Sequence, residues 1–181
     1  SRYTSVAVTG TFLHVVWYDA REGNPEIYYK RSTDGGINWG ADTRLTNNLN
    51  FSFAPSITVS NLNVHVVWSD YRDNNFEIYY KRSTDGGINW GADKRLTNYP
   101  YTSTSPSIVN SGLNVHLVWN EERDGNWEIY YNRSTDNGIT WEADSRMTIN
   151  NEDSWNPSVT VSGLNVYIVW NDYRDSISTE I

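Results

Sequence analysis

The sequence predicts an all-β chain, a β-propeller of four-stranded antiparallel blades, and three observations predict it. A 51-residue period runs through the chain, four strand-like runs recur within each period, and a helical 3.6-residue period persists nowhere. The period is read from tryptophan: Trp17, Trp68, Trp119 and Trp170 stand 51 residues apart, as do Trp39, Trp90 and Trp141. Residues 26–46 and 77–97 differ only at Thr43 against Lys94, so duplication of one supersecondary unit accounts for the agreement.

Each element of the unit has its own signature. The first run follows a proline, in Pro55-Ser-Ile-Thr-Val, Pro106-Ser-Ile-Val and Pro157-Ser-Val-Thr-Val, with Thr4 at that place in the first unit. The second reads LHVVW at 13–17, VHVVW at 64–68, VHLVW at 115–119 and VYIVW at 166–170. These runs are β-branched and apolar on both faces, as a strand buried between stacked sheets requires. The third is EIYYKRS at 77–83 and the fourth the short RLT at 95–97, with turn-forming Gly, Asn, Asp and Ser clusters between the runs. Four short strands in about 50 residues, repeated without helix, describe a propeller blade. A β-helix needs much shorter repeats, and a two-sheet sandwich shows no constant period.

Length divided by period gives about three and a half blades, placed at 4–50, 51–101, 102–152 and an incomplete 153–181. The chain stops at Glu180-Ile181, where the third strand of a fourth blade is due, and Ser176-Ile-Ser-Thr breaks the repeat spacing. The expectation is a segment of a larger propeller, with Ser1 starting a fragment or mature segment; a four-bladed ring with a minimal last blade is the alternative. An unpaired blade edge also leads to an expectation of self-association.

Composition narrows function. Fourteen Lys plus Arg against 22 Asp plus Glu leave a net charge of −8, with the basic residues dispersed, which argues against nucleic-acid binding. The absence of cysteine removes disulfides, thiolate metal sites and thiol nucleophiles. No apolar run approaches the roughly 20 residues that span a bilayer. Nothing calls for a cofactor. Trp and Tyr are abundant, at 9 and 13 residues, and pair apolar area with a polar tip, which suits half-buried sheets and sugar-binding faces. Two blade positions absorb seven of the nine Trp and leave Trp127 and Trp155 available for a ligand.

Between the third and fourth strands stand Ser32-Thr-Asp34-Gly-Gly36-Ile-Asn-Trp39, its identical copy Ser83 to Trp90 with Asp85 and Gly87, and Ser134-Thr-Asp136-Asn-Gly138-Ile-Thr-Trp141. An aspartate in a tight turn accepts hydrogen bonds from nearby backbone N–H groups, a glycine takes a backbone conformation other residues resist, and the tryptophan is expected to cover the hairpin base. The pattern resembles the Asp-box, or BNR repeat, of sialidase-like propellers. That resemblance implies a structural role for these residues, away from the active-site face, and an extracellular or cell-surface location.

The opposite face carries the loops between strands two and three and those joining blades. The first set reads Asp19-Ala-Arg21-Glu, Asp70-Tyr-Arg72-Asp73, Glu121-Glu-Arg123-Asp124 and Asp172-Tyr-Arg174-Asp175; the second holds Phe51, Phe53, Tyr99, Tyr101 and Trp155. Arg21, Asp70, Arg72, Asp73, Arg123, Asp124, Arg174, Tyr99, Tyr101 and Trp155 are the ligand-binding candidates, able to grip a sugar by stacking and hydrogen bonds or a carboxylate by guanidinium donors. The competing reading is an arginine–carboxylate ion pair in every blade, which repetition favours. His14, His65 and His116 share one strand position in different blades, too far apart at a sheet spacing of about 10 Å for one metal, and read as packed, hydrogen-bonded side chains.

The resembling sialidases use an arginine triad, a Tyr/Glu nucleophile pair and an Asp acid/base, and carry an Arg-Ile-Pro motif. No Arg-Ile-Pro occurs here; the nearest place, Phe53-Ala-Pro55, lacks the arginine, and no residue earns a catalytic assignment. Three function classes remain: a non-catalytic module binding extracellular or cell-surface glycan, a piece of a sialidase-like glycoside hydrolase, and a structural repeat scaffold without ligand.

Overall fold

A computed structural model describes residues 2–174. Its strands are β1 (Arg2–Thr9), β2 (Phe12–Asp19), β3 (Glu26–Ser32), β4 (Thr43–Arg44), β5 (Ser52–Ser60), β6 (Asn63–Asp70), β7 (Glu77–Ser83), β8 (Lys94–Arg95), β9 (Ser103–Ser111), β10 (Asn114–Glu121), β11 (Glu128–Ser134), β12 (Ser145–Arg146), β13 (Ser154–Ser162) and β14 (Asn165–Asp172). They form three four-stranded sheets in sequential order, β1 to β4, β5 to β8 and β9 to β12, and one two-stranded sheet of β13 and β14. All pairings are antiparallel, and no helix occurs among the described residues. The expected propeller blades are therefore present, the last with two strands among the described residues. Asp175, the 176–179 segment, Glu180 and Ile181 lie outside the described residues.

The second strands show how stacking acts on one sequence pattern. In β6 every residue after Asn63 is buried, because a neighbouring blade covers each face. In β2, with nearly the same sequence, burial is interrupted, because among the described residues only one face has a neighbour. Between the first two blades the core joins Val16, Ile27, Tyr29 and Leu45 to Ile57, Val64, Val66 and Trp68. Between the next two, Val67, Ile78 and Tyr80 meet Ile108, Val115, Leu117 and Trp119. A fully buried side chain of this kind contributes about 1.5–3 kcal/mol, so these two clusters, with no disulfide present, hold the sheets together.

Two expected boundaries are corrected. The first strand does not begin after the proline but three residues before it, at Ser52, so that Pro55 lies inside β5. The ladder shifts register there, between Phe53 and Ser56, and a bulge admits a residue that lacks an N–H. The bulge also turns the backbone left-handed at Tyr3, Ala54, Ser105 and Asn156, one residue per blade, with φ of 50°, 49°, 54° and 52°. The fourth strand is Lys94 and Arg95 instead of RLT: the Leu96 N–H still donates to the Ile78 carbonyl at 2.8 Å, but the ladder ends where Thr97 turns its side chain onto the Ile78 N–H at 2.8 Å.

Candidate functional site

The two ends of the blades differ in chemistry. At one end the Asp-box turn folds on itself: the Ser32 hydroxyl donates to Asp34 at 2.7 Å and accepts the Gly36 N–H at 3.0 Å, while Asp34 accepts from the Asn38 N–H and side-chain amide at 2.9 and 2.7 Å. The turn at Ser83, Asp85 and Gly87 and the turn at Ser134, Asp136 and Gly138 repeat the Ser–Asp and Ser–Gly bonds. The Asn38 N–H, the Ser32 hydroxyl and the Asn38 amide hold the Asp34 carboxyl at about 2, and equivalent donors do the same for Asp85 and Asp136. These carboxylates are occupied as turn clamps.

The box tryptophan does more than cover its hairpin. Trp39 donates to the Gly36 carbonyl at 3.1 Å within its own turn. Trp90 instead meets Tyr29 of the preceding blade edge-on at 4.9 Å, and Trp141 meets Tyr80 at 5.3 Å. Arg31 and Arg82 lock the same junctions by donating to the Gly86 and Asn137 carbonyls, each at 2.7 Å.

At the other end, each repeated arginine folds back on carboxylates of its own blade. Arg72 donates to both oxygens of Asp70, at 2.8 and 2.7 Å, and to Asp93 at 2.8 Å, with its guanidinium 4.2 Å over the Tyr79 ring. Arg21 pairs with Asp19 and Asp42, Arg123 with Glu121 and Asp144, and Arg174 with Asp172. Burial works to raise Asp70, but hydrogen bonds from Arg72 and Trp68 hold it below the ordinary carboxylate range. At the same repeat position in the third blade the balance reverses: burial pushes Glu121 up against the pull of Arg123 and Trp119.

The remaining candidates divide between spent and open groups. Asp73 accepts from the Tyr79 hydroxyl, and Asp124 from Tyr130, with Arg146 at 3.1 Å from Asp124. Tyr99 stacks on Arg123 at 3.7 Å, so these two meet, whereas Arg21 and Arg72 reach across the hairpin of their own blade to Asp42 and Asp93. Tyr101 is 47% exposed. Trp155 lies 4.4 Å from Trp127, so the two tryptophans left over from the repeat are ring partners. His14, His65 and His116 each bond a strand-three tyrosine, Tyr29, Tyr80 and Tyr131, through Nδ1 at 2.7, 2.7 and 2.8 Å. Among the described residues no group of three or more His, Asp or Glu is arranged to hold a metal ion, and no helix is long and apolar enough to cross a membrane.

The four bulges border one open cavity of about 210 Å³, lined by Tyr3, Ala54 with Pro55, Ser105 with Pro106, and Asn156 with Pro157. First strands of successive blades are neighbours, β1 beside β5, β5 beside β9 and β9 beside β13, so this cavity is where the four repeats converge.

The BNR/Asp-box repeat family model matches residues 133–143. No curated protein matches the sequence. Among solved structures, a Hadza microbial sialidase superposes over 97% of this chain with a TM-score of 0.74 at 14% identity. The fold is that of a sialidase-like Asp-box repeat propeller. Trypanosoma rangeli sialidase in complex with sialic acid covers 94% of the chain at 13% identity and TM-score 0.71. The GH93 alpha-L-arabinofuranosidase of Fusarium graminearum, in complex with arabinobiose, covers 94% at 16% identity and TM-score 0.71. The chain spans 42%, 33% and 56% of those three chains.

Sequence reasoning missed two features of this Asp-box propeller. Glu26, Glu77 and Glu128 are fully buried at the start of each third strand. Glu77 takes hydrogen bonds from Arg95 at 2.7 Å, Asn75 at 2.8 Å, the Tyr99 N–H at 3.2 Å and Thr97. Their 51-residue spacing was the available signal. The second is the bulge: the repeat position holding Tyr3, Ala54, Ser105 and Asn156 differs in all four units, as does its neighbour holding Arg2, Phe53, Thr104 and Trp155.

Proposed function

We propose that this Asp-box propeller binds extracellular or cell-surface glycan without hydrolysing it, through the cavity at the four bulges and the aromatic rim beside it. The observation that carries the reading is divergence at the place where the four repeats converge. Repeats that keep their turns, ion pairs and core carry four different residues at the bulge, where backbone strain is also concentrated. Positions that vary between repeats and converge on one cavity suit recognition of an asymmetric ligand. Tyr3 in the cavity lining supplies a ring for stacking, with Phe53 and Trp155 one residue before the lining residues Ala54 and Asn156, and Ser105 and Asn156 supply hydrogen-bonding groups. The loop carboxylates are ion-paired with arginine or hydrogen-bonded to tyrosine, which leaves none of the repeated acids described above placed as a free acid/base pair.

A second reading, a part of a glycoside hydrolase, draws on the fold likeness to sialidases and to an arabinofuranosidase. One pair of assays separates the readings. A glycan array probed with the chain is expected to give signals that Trp155→Ala and Asn156→Ala abolish while Arg72→Ala at the ion-paired loop does not. Fluorogenic sialosides and arabinofuranosides are expected to remain intact, and their turnover would replace the first reading by the second. Silence in both assays would leave a structural scaffold.

A further inference from the structure

The first and second blades meet through a core contact that the second and third repeat, but the polar bonds across these two junctions differ. Where the second blade meets the third, the Ser56 hydroxyl accepts the Ile108 N–H at 3.2 Å. Thr58 donates to the Asn110 side chain at 2.7 Å and accepts the Asn110 N–H at 3.2 Å. The Ser69 hydroxyl accepts the Ser105 N–H at 3.2 Å, Asn137 donates to the Asn63 side chain at 2.8 Å, and Lys94 donates to the Ile139 carbonyl at 2.8 Å.

Where the first blade meets the second, most of these partners are replaced. Fifty-one residues earlier stand Ala7 for Thr58, Val59 for Asn110, Tyr18 for Ser69, Phe12 for Asn63, Gly86 for Asn137 and Thr43 for Lys94. Ala7 and Val59 pack on the apolar core, and Tyr18 stacks on Tyr3 of its own blade at 5.8 Å. A cavity of about 440 Å³ opens between the hairpin tips, bordered by Phe12 and Leu62. This junction keeps the Ser5–Ile57 bond at 3.3 Å and the backbone bond from the Ser52 N–H to the Pro25 carbonyl at 2.9 Å. Farther out it is tied by Arg31 on the Gly86 carbonyl and by Lys81 on the Leu45 carbonyl at 2.6 Å.

We propose that the first junction is a hinge: the first blade swings on the second, the second and third move as one body, and the swing shifts Tyr3 against Ala54 and Pro55 across the bulge cavity. Apolar contact is non-directional and survives sliding, whereas paired hydrogen bonds hold one register. The bulge shows the same difference. The Ser105 and Asn156 N–H groups are tied to the preceding blade, at Ser69 and at Asn120 at 3.1 Å, while Tyr18, at the place of Ser69, is stacked on Tyr3. One wall of the cavity thus belongs to the blade that is free to swing. The link from hinge to ligand rests on the glycan-binding reading above; the hinge itself does not.

The chain has no cysteine, so spin labels placed in pairs on introduced cysteines can report distances by pulsed electron resonance. Thr11, Leu62 and Leu113 hold one exposed repeat position at successive hairpin tips. The pair Leu62→Cys with Leu113→Cys is expected to give one narrow distance, and Thr11→Cys with Leu62→Cys a broader distribution with a longer component. Installing the second junction's partners in the first, by Ala7→Thr with Val59→Asn and Phe12→Asn with Gly86→Asn, is expected to remove that component. Gly86 has a φ of 70° and Asn137 one of 62°, so asparagine suits the place. The reverse exchange, Thr58→Ala with Asn110→Val, is expected to broaden the Leu62–Leu113 distance, and it serves if circular dichroism shows the first variant unfolded. Equal widths at the two junctions overturn the proposal, as does a broad first junction that neither exchange alters. A broad Thr11→Cys with Ile37→Cys pair, both in the first blade, also overturns it, because the blade then unfolds instead of swinging. The distances are read without glycan, so the two readings fail separately. Glycan-array signals unchanged in the tightened variant overturn the link to the cavity, and a silent array overturns the ligand reading and leaves the hinge standing.

Discussion

The hydroxyl of Tyr29 occupies the space where a side chain on Gly87 would begin: a Cβ there would stand 1.9 Å from the phenolic oxygen. One blade's tyrosine thus fills the Asp-box turn of the next, and Tyr80 does the same to Gly138. Gly36, in the first blade, has no such tyrosine and meets only Leu13 at 3.6 Å and its own Trp39 at 4.0 Å. All three glycines have positive φ, so alanine strains each backbone by about 1 kcal/mol. Gly87→Ala additionally forces the tyrosine aside and is expected to cost about 3 kcal/mol in urea denaturation, against about 1 for Gly36→Ala. The excess should shrink when Tyr29→Phe removes the hydroxyl. Equal costs at the two positions would refute the account.

That asymmetry explains what was legible in the sequence. The Asp-box glycines, the period and the second strands were readable because they are local: turn chemistry and alternation act within a few residues. The partner of Gly87 was not, since Tyr29 lies 58 positions earlier and its position in the repeat looks like an ordinary strand residue. The arginine loops were ambiguous for the same reason. Asp19 and Asp70 are visible beside Arg21 and Arg72, but Asp42 and Asp93 enter from the far side of the hairpin, 21 residues away. The bulge was missed because a proline was read as a strand boundary, when the inner strand absorbs it by shifting register.

Arg123 lies between two rings, 3.7 Å from Tyr99 and 4.0 Å from Tyr130, and its partner Glu121 is fully buried. Arg123→Ala strands that carboxylate and is expected to destabilise the chain by about 2–4 kcal/mol at neutral pH. Lysine restores the charge but not the planar stacking, so Arg123→Lys should recover only part of the loss. The more exposed Arg21 should cost far less on the same substitution to alanine, since solvent screens its ion pairs. The Arg123→Ala deficit should also shrink in acid, where the stranded Glu121 takes up a proton; a deficit that grows in acid would contradict the buried-charge argument.

Glu77 ties the third strand to the loop that leads into the next blade. Its carboxylate gathers donors from Asn75, Arg95, Thr97 and the Tyr99 backbone, all in a site closed to solvent. Removing it leaves several buried donors unmatched, so Glu77→Ala should lower stability by about 3 kcal/mol. Glu77→Gln, which keeps the shape but places an N–H donor among donors, should fall between wild type and alanine. Glu22, exposed and paired with Arg44, should tolerate the same changes with little effect in a thermal melt.

Acid should unfold the chain in two separable limbs. Burial, with Arg31 nearby for His14, lowers His14 and His65 from 6.5 to about 4, so the folded chain holds both neutral where the unfolded chain protonates them. The unfolded state then binds more protons between those values, and stability is lost as pH falls from 6.5 toward 4, on the order of 3 kcal/mol for His65 alone. The box aspartates act lower down: with Asp34, Asp85 and Asp136 held at about 2, their contribution is full above the ordinary value of 3.8 and is lost as pH falls through about 2. Urea midpoints from pH 7.5 down to 2 should therefore show an upper limb that His65→Gln flattens and a lower limb that Asp85→Asn flattens. If His65→Gln left the upper limb unchanged, the neutral, tyrosine-bonded histidine would not be its source.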